Sequence, residues 1–168
     1  MACAEVQEFS TTSGYASNLM GVPPTLDRTP SQATYVADNI DGRNPPEWIR
    51  LYNRDKAYAA FVDELFSLDR EEDETPPNKD VVDWILESTV FPKKLLAQNW
   101  KKPHVTSDDE GGVRLSWREE DRELRAIIPA NLSERYLYWQ HGNEYGGLPN
   151  FGSATLYRWL SWMNERDR

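Results

Sequence analysis

The chain has 168 residues, 28 acidic and 19 basic, for a formal charge of −9 at neutral pH. That length suits one domain with a real core, and no stretch approaches the roughly 18 apolar residues that span a bilayer. A single cysteine (Cys3) and two histidines (His104 and His141) exclude an internal disulfide, a zinc site needing two thiolates, and a His-rich catalytic centre.

Residues 1–44 are dominated by Ser, Thr, Asn, Gly and Pro, with Pro23-Pro24 and Thr29-Pro30-Ser31 as breakers. Scattered anchors such as Phe9, Tyr15, Leu26 and Tyr35 predict an irregular arm. It is either pinned over its own domain or ordered by a partner. Met1 to Ser10 lack the basic cluster of a signal peptide, so the expected location is cytoplasmic. Residues 45–168 are expected to form one domain, with a helical part over 45–100 and a sheet plus helix over 103–168.

Asn44 can cap a helix, Pro45 and Pro46 suit its first turn, and Glu47 stands three residues on, as in a capping box. Trp48, Leu51, Tyr52, Tyr58, Phe61, Val62, Leu65 and Phe66 fall mostly at three- and four-residue steps. The spacing predicts one helix over about 46–68, with Asn53-Arg54-Asp55 as the place for a break. An acidic linker over 69–77 follows. Asn78 then caps a second helix with the stripe Val81, Val82, Ile85 and Leu86. Phe91-Pro92 is expected to end or kink it, because a residue before proline avoids the helical region.

The apolar period then changes from about 3.6 to 2. Val113, Leu115 and Trp117 alternate with Arg114, Ser116 and Arg118, and Leu124, Ala126 and Ile128 alternate with Glu123, Arg125 and Ile127. Tyr136 and Tyr138 alternate with Leu137 and Trp139. These are three half-buried strands of an antiparallel meander, with His104-Val105-Thr106 as a fourth at the edge. Gly142 to Gly152 reads as a loop. Ser153 caps a last helix whose Leu156, Trp159, Leu160 and Met163 cover one face of the sheet. The predicted class is α+β: N-terminal helices, a three- to four-stranded antiparallel sheet, and a C-terminal helix packed on it.

Residues for chemistry are scarce. His104 and His141 sit at a strand start and a strand end. With Glu144 they would make a metal or acid–base site only if their strands were adjacent; otherwise each is a turn or surface residue. Cys3 lies in the arm without an evident base. Gly-x-Ser-x-Gly and phosphate-binding glycine loops are absent, and no cofactor or metal is implied. Acidic runs are plentiful at Glu71-Glu72-Asp73-Glu74 and Asp108-Asp109-Glu110. They read as solvated turns or as a surface that engages a basic partner.

Aromatic residues are the stronger signal, at 12% of the chain. Both parities of the third strand are large, so both its faces need cover. That cover comes from the N-terminal helices or from a partner, since Tyr, Trp and Arg are enriched at binding hot spots. Arg114, Arg118, Arg125 and Arg135 are expected beside these rings. Stacking on single-stranded nucleic acid is a further use of such a strand. The net negative charge weighs against it and makes direct nucleic-acid binding the weaker expectation.

Several motifs combine in residues 76–168: Pro76-Pro77, Lys102-Pro103-His104-Val105, Gly111-Gly112-Val113-Arg114-Leu115-Ser116-Trp117, Asp121-Arg122-Glu123-Leu124 and Tyr136-Leu137-Tyr138-Trp139. In this region the chain resembles a group of small bacterial proteins that look like the upstream member of toxin–antitoxin-like gene pairs. The resemblance implies a non-enzymatic protein-binding module, antitoxin-like, immunity or inhibitor in kind. No individual site residue is carried over by it.

The expected partner is a protein with a basic surface, such as a nuclease or toxin. The expected contact residues are Trp117, Tyr136, Tyr138, Trp139, Glu72, Asp73, Asp108 and Asp109. Two alternatives stand beside this reading: a phage-type anti-defence protein that mimics nucleic acid, and a small hydrolase or metal enzyme using His104 or His141.

Overall fold

The computed structural model describes residues 45–68 and 75–165. The first helical stretch is two helices, α1 (Glu47–Arg54) and α2 (Lys56–Ser67). Asp55 makes the break. Its backbone is extended, and its carboxylate accepts the Tyr58 N–H at 3.0 Å, which caps α2. The capping box expected at α1 joins Asn44 to Glu47. Asn44 lies outside the described residues, Pro46 holds the cap position without a side-chain bond, and Glu47 meets Lys94 at 2.7 Å. That lysine's hydrogen bond holds the Glu47 carboxyl below its ordinary range.

Asn78 caps α3 (Lys79–Leu96) as expected, accepting the Asp80 N–H at 2.9 Å. Phe91-Pro92 does not end it. A proline inside a helix forfeits one backbone bond. Here Pro92, Lys93 and Leu96 are all buried, and their packing carries the helix one turn further. It stops at Ala97, whose φ is +49°, and a 3-10 turn covers Ala97–Asn99.

Five strands follow: β1 (His104–Ser107), β2 (Val113–Glu119), β3 (Arg122–Ile128), β4 (Tyr136–His141) and β5 (Glu144–Pro149). They form one antiparallel meander in the order β1-β2-β3-β4-β5. The last strand replaces the loop expected over 142–152. Gly146 and Gly147 look like loop residues, but each makes room for a ring from β4. A Cβ at Gly146 would stand 2.7 Å from the Trp139 indole nitrogen, and one at Gly147 would stand 2.2 Å from Tyr136 Cε1. Two small residues thus serve as seats for two large neighbours, one on each face.

Strand parity sets the layers. Val113, Leu115 and Trp117 on β2, Leu124, Ala126 and Ile128 on β3, and Leu137 on β4 are buried against the helices. The last helix, α4 (Ser153–Met163), adds Leu156, Leu160 and Met163 to the same core. Gly152, not Ser153, holds its cap position, with no side-chain bond. Arg122 ties β3 to the far end of α4 by donating to the Trp162 carbonyl at 2.6 Å and to the Glu165 carbonyl. Helices and sheet share one continuous core. No helix among the described residues is long and apolar enough to cross a membrane.

Candidate functional site

The second face of the sheet has no helix over it among the described residues. Its residues stand in three rows fixed by register. Thr106, Arg114, Ile127, Tyr136 and Pro149 form one, and His104, Ser116, Arg125, Tyr138 and Gly147 form the next. Arg118, Glu123, Gln140 and Tyr145 form the third. The face is therefore divided: arginines on β2 and β3, tyrosines on β4 and β5.

Tyr138 is 46% exposed and Tyr145 is 83% exposed, the largest figure among the exposed apolar and aromatic side chains. Tyr136 lies over Gly147 with its ring centre 4.5 Å from that of Tyr138. A shallow hollow of about 450 Å³ runs between the two halves, lined by Arg114, Arg125, Ile127, Tyr138 and Tyr145.

Among the described residues of the strands, Glu123 is the only acid on this face. It accepts from Arg125 at 2.7 Å and from Arg118 at 3.3 Å. The Arg125 bond holds its carboxyl below the usual range, and the same bond raises the Arg125 guanidinium. Arg114 is exposed and makes no ion pair among the described residues. The face keeps a positive balance although the whole chain is acidic. Residues 1–44 and 69–74 carry most of the excess acid.

The expected contact residues divide. Tyr136 and Tyr138 come together on the open face. Trp117 is 3% exposed, and its indole N–H donates to the Lys101 carbonyl at 2.9 Å; it packs the core and offers a partner almost nothing. Trp139 points to the helix side, stacked on Trp159 at 5.3 Å and 17°.

Asp108 is used inside its own turn, accepting from the Glu110 and Gly112 amides at 3.0 and 2.6 Å. Asp109 is exposed at the turn tip. Glu72 and Asp73 lie outside the described residues. Arg135 is off the face, with its guanidinium 4.9 Å above the Trp84 ring. Tyr145 stands out in the sequence as one of many C-terminal aromatics, but its place on this face was not legible because it falls in the segment read as a loop.

The site joining His104, His141 and Glu144 does not form. His104 stands on β1 and the open face, 73% exposed at its side chain, while His141 is three strands away on β4 and faces the helices. His141 pairs with Asp121 at 3.2 Å, and His104 pairs with Glu64 at 3.4 Å. Among the described residues no group of three His, Cys, Asp or Glu is placed to hold a metal.

A groove of about 870 Å³ beneath β5 is lined by Trp139, Trp159 and Trp162 with His141, Glu144 and Arg158. Its rings are mainly partnered with one another. Trp162 stands edge-on to both other indoles, and the Arg122 guanidinium lies 5.2 Å from its ring centre. This is a packing seam between sheet and helix.

The glycine seats give a direct check. Gly146→Ala is expected to lower stability by about 1–2 kcal/mol, because Trp139 is held by Trp159 and has nowhere to move. Urea unfolding measures the loss. A variant as stable as the parent would show that the ring is loosely seated. Comparison with family models, with curated proteins and with solved structures finds no match to this chain, so the face and its chemistry carry the functional reading.

Proposed function

We propose that the chain is a protein-binding module of the antitoxin-like or inhibitor kind, and that its working surface is the open face of the sheet. The observation that carries this is the pair of exposed rings, Tyr138 and Tyr145, beside Arg114 and Arg125 on a face that no described helix covers. Tyrosine and arginine are the residue types that dominate binding energy, because they bury large rigid area and still keep a polar tip. A flat sheet face occludes a partner's site by lying across it and needs no chemistry of its own.

Local charge refines the partner. The whole chain is acidic, which led to the expectation of a basic surface. The face itself presents arginines, so the matching patch supplies carboxylates and apolar groups. Complementary charge of this kind sets the rate of encounter, while the buried rings set the lifetime of the complex.

The test is titration calorimetry and surface kinetics against the product of the neighbouring reading frame. Replacing Tyr138 and Tyr145 together by alanine is expected to weaken binding by about a hundredfold, mainly through faster dissociation. Arg114→Glu is expected to slow association, most at low salt. Unchanged affinity in the double variant would remove this face from the proposal. Tight binding of a single-stranded oligonucleotide that the same variant abolishes would replace the protein partner with nucleic acid.

A further inference from the structure

The two edges of the sheet are finished differently. At β1 the outward Val105 N–H is capped by Glu64 of α2 at 3.0 Å, and Lys102 and His104 crowd the same carboxylate. That edge is closed to another strand. β5 has no such cap.

The geometry of β5 follows from its hairpin. Gly142 and Asn143 make a two-residue turn between the paired His141 and Glu144, with Gly142 at φ +55°. In such a turn the first residue's carbonyl accepts the fourth residue's N–H, so Glu144 bonds inward to β4. Alternation then aims Gly146 and Leu148 inward, and Tyr145, Gly147 and Pro149 outward. Among the described residues, no backbone or side-chain group bonds the outward set. β5 carries no lysine and its register with β4 is unbroken by a bulge; of the devices that protect an edge it holds only Glu144 and Pro149, one at each end, and the stretch between them is bare among the described residues.

We propose that β5 pairs with β5 of a second copy of this chain, antiparallel about a twofold axis at Gly147. The register is self-complementary. Gly147 exchanges both backbone bonds with Gly147 of the second copy. Each Tyr145 N–H donates to the Pro149 carbonyl opposite, the position where proline lacks a donor but still accepts. Facing residues have the same parity, so both helix layers stay on one side and both open faces on the other.

Glu144 faces Asn150, so no like charges meet. The Tyr145 ring lies beside Pro149 of the second copy, and the backbone bonds rather than this contact carry the pairing. Nothing larger than hydrogen crowds the axis from Gly147 itself. The result is one continuous sheet with two open faces side by side. Strand addition at a bare edge is a recurrent mode of association.

The experiment is sedimentation equilibrium of the full chain over about two decades of concentration, with two substitutions at one residue. Tyr145→Ala keeps the backbone N–H and is expected to dimerise like the parent. Tyr145→Pro removes an outward N–H that the fold itself does not use, and is expected to weaken dimerisation at least about tenfold. A parent that stays monomeric throughout, or a Tyr145→Pro variant that dimerises unchanged, would overturn the proposal.

Amide exchange on the unmodified chain gives a second readout that does not depend on the variant folding. The Tyr145 and Gly147 amides are expected to slow as concentration rises. Fast exchange at every concentration overturns the pairing. Slow exchange that ignores concentration also overturns it, and assigns the edge to another segment of the same chain. The partner reading and this one fail separately, because Tyr145→Ala is expected to weaken partner binding and keep the dimer.

Discussion

Asp55→Ala is expected to lower stability by about 4 kcal/mol, a large share of what a domain of this size commands. Lys93 is the reason. It lies on α3 with its side chain only 4% exposed, and its ammonium meets Asp55 at 2.7 Å and the Ala97 carbonyl at 3.0 Å. The Trp100 ring centre is 5.0 Å from the same nitrogen. Removing Asp55 leaves a buried cation with one carbonyl and one ring.

Breaking a buried pair from one side costs about 3–5 kcal/mol. Asp55 is itself a third exposed, which places the pair at the low end of that range. Loss of the α2 cap adds about 1 kcal/mol. Urea unfolding checks the figure. The double variant Asp55→Ala with Lys93→Met should recover about half of the loss, because it leaves no stranded charge. A single variant within about 0.5 kcal/mol of the parent would mean that water reaches Lys93 freely.

Glu64→Ala is expected to remove about 2 kcal/mol and to release the β1 edge. Its carboxylate accepts from Val105 N–H and from Lys102, and so joins α2 to the sheet. Burial alone would raise its pKa, but the Lys102 and Val105 bonds outweigh that and hold it below the ordinary value. Asp55 behaves likewise: burial is opposed and outweighed by the bonds from Lys93 and the Tyr58 amide.

The sign for pH follows from linkage. A carboxyl whose folded-state pKa lies below its unfolded-state value stabilises the fold fully above the unfolded value, about 4. That contribution fades as pH falls through the folded value. Thermal unfolding from pH 7 downward should therefore show a loss that begins near the ordinary carboxylate range. Glu64→Gln keeps an acceptor for the Val105 amide but no titrating group, and should show a shallower acid limb than the parent. An equally steep limb would assign the acid sensitivity to other carboxylates. With its edge amide uncovered, Glu64→Ala is also expected to form concentration-dependent aggregates that the parent does not.

Much of the fold could be read from residue order. Period-two alternation identified β2, β3 and β4, because half-buried strands must put apolar groups on every second position. Asn78 was legible as a cap because its side chain needs only the local backbone. Pro92 was misleading for the opposite reason: its local penalty is real, but the burial of Lys93 and Leu96 against distant residues outweighs it. Gly146 and Gly147 misled in the same way, since only the β4 rings folded over them explain why a strand uses two glycines.

The candidate site was half legible. Arg114, Arg118 and Arg125 were expected to share a face with rings, and alternation alone supports that. Which rings they share it with was open, because Tyr136 and Tyr138 on one parity and Leu137 and Trp139 on the other are equally large. The helices settled it by covering Leu137 and Trp139.

Composition and spacing alone thus determined the class, the meander, and the scarcity of cysteine and histidine, because each depends on residue types and near neighbours. Only the tertiary structure decided that Trp117 is core, that the two histidines stand three strands apart, and that one edge is capped while the other is bare. Those outcomes depend on contacts between residues far apart in the chain, such as Glu64 with Val105 and Trp139 with Gly146 and Trp159, and no local pattern encodes them.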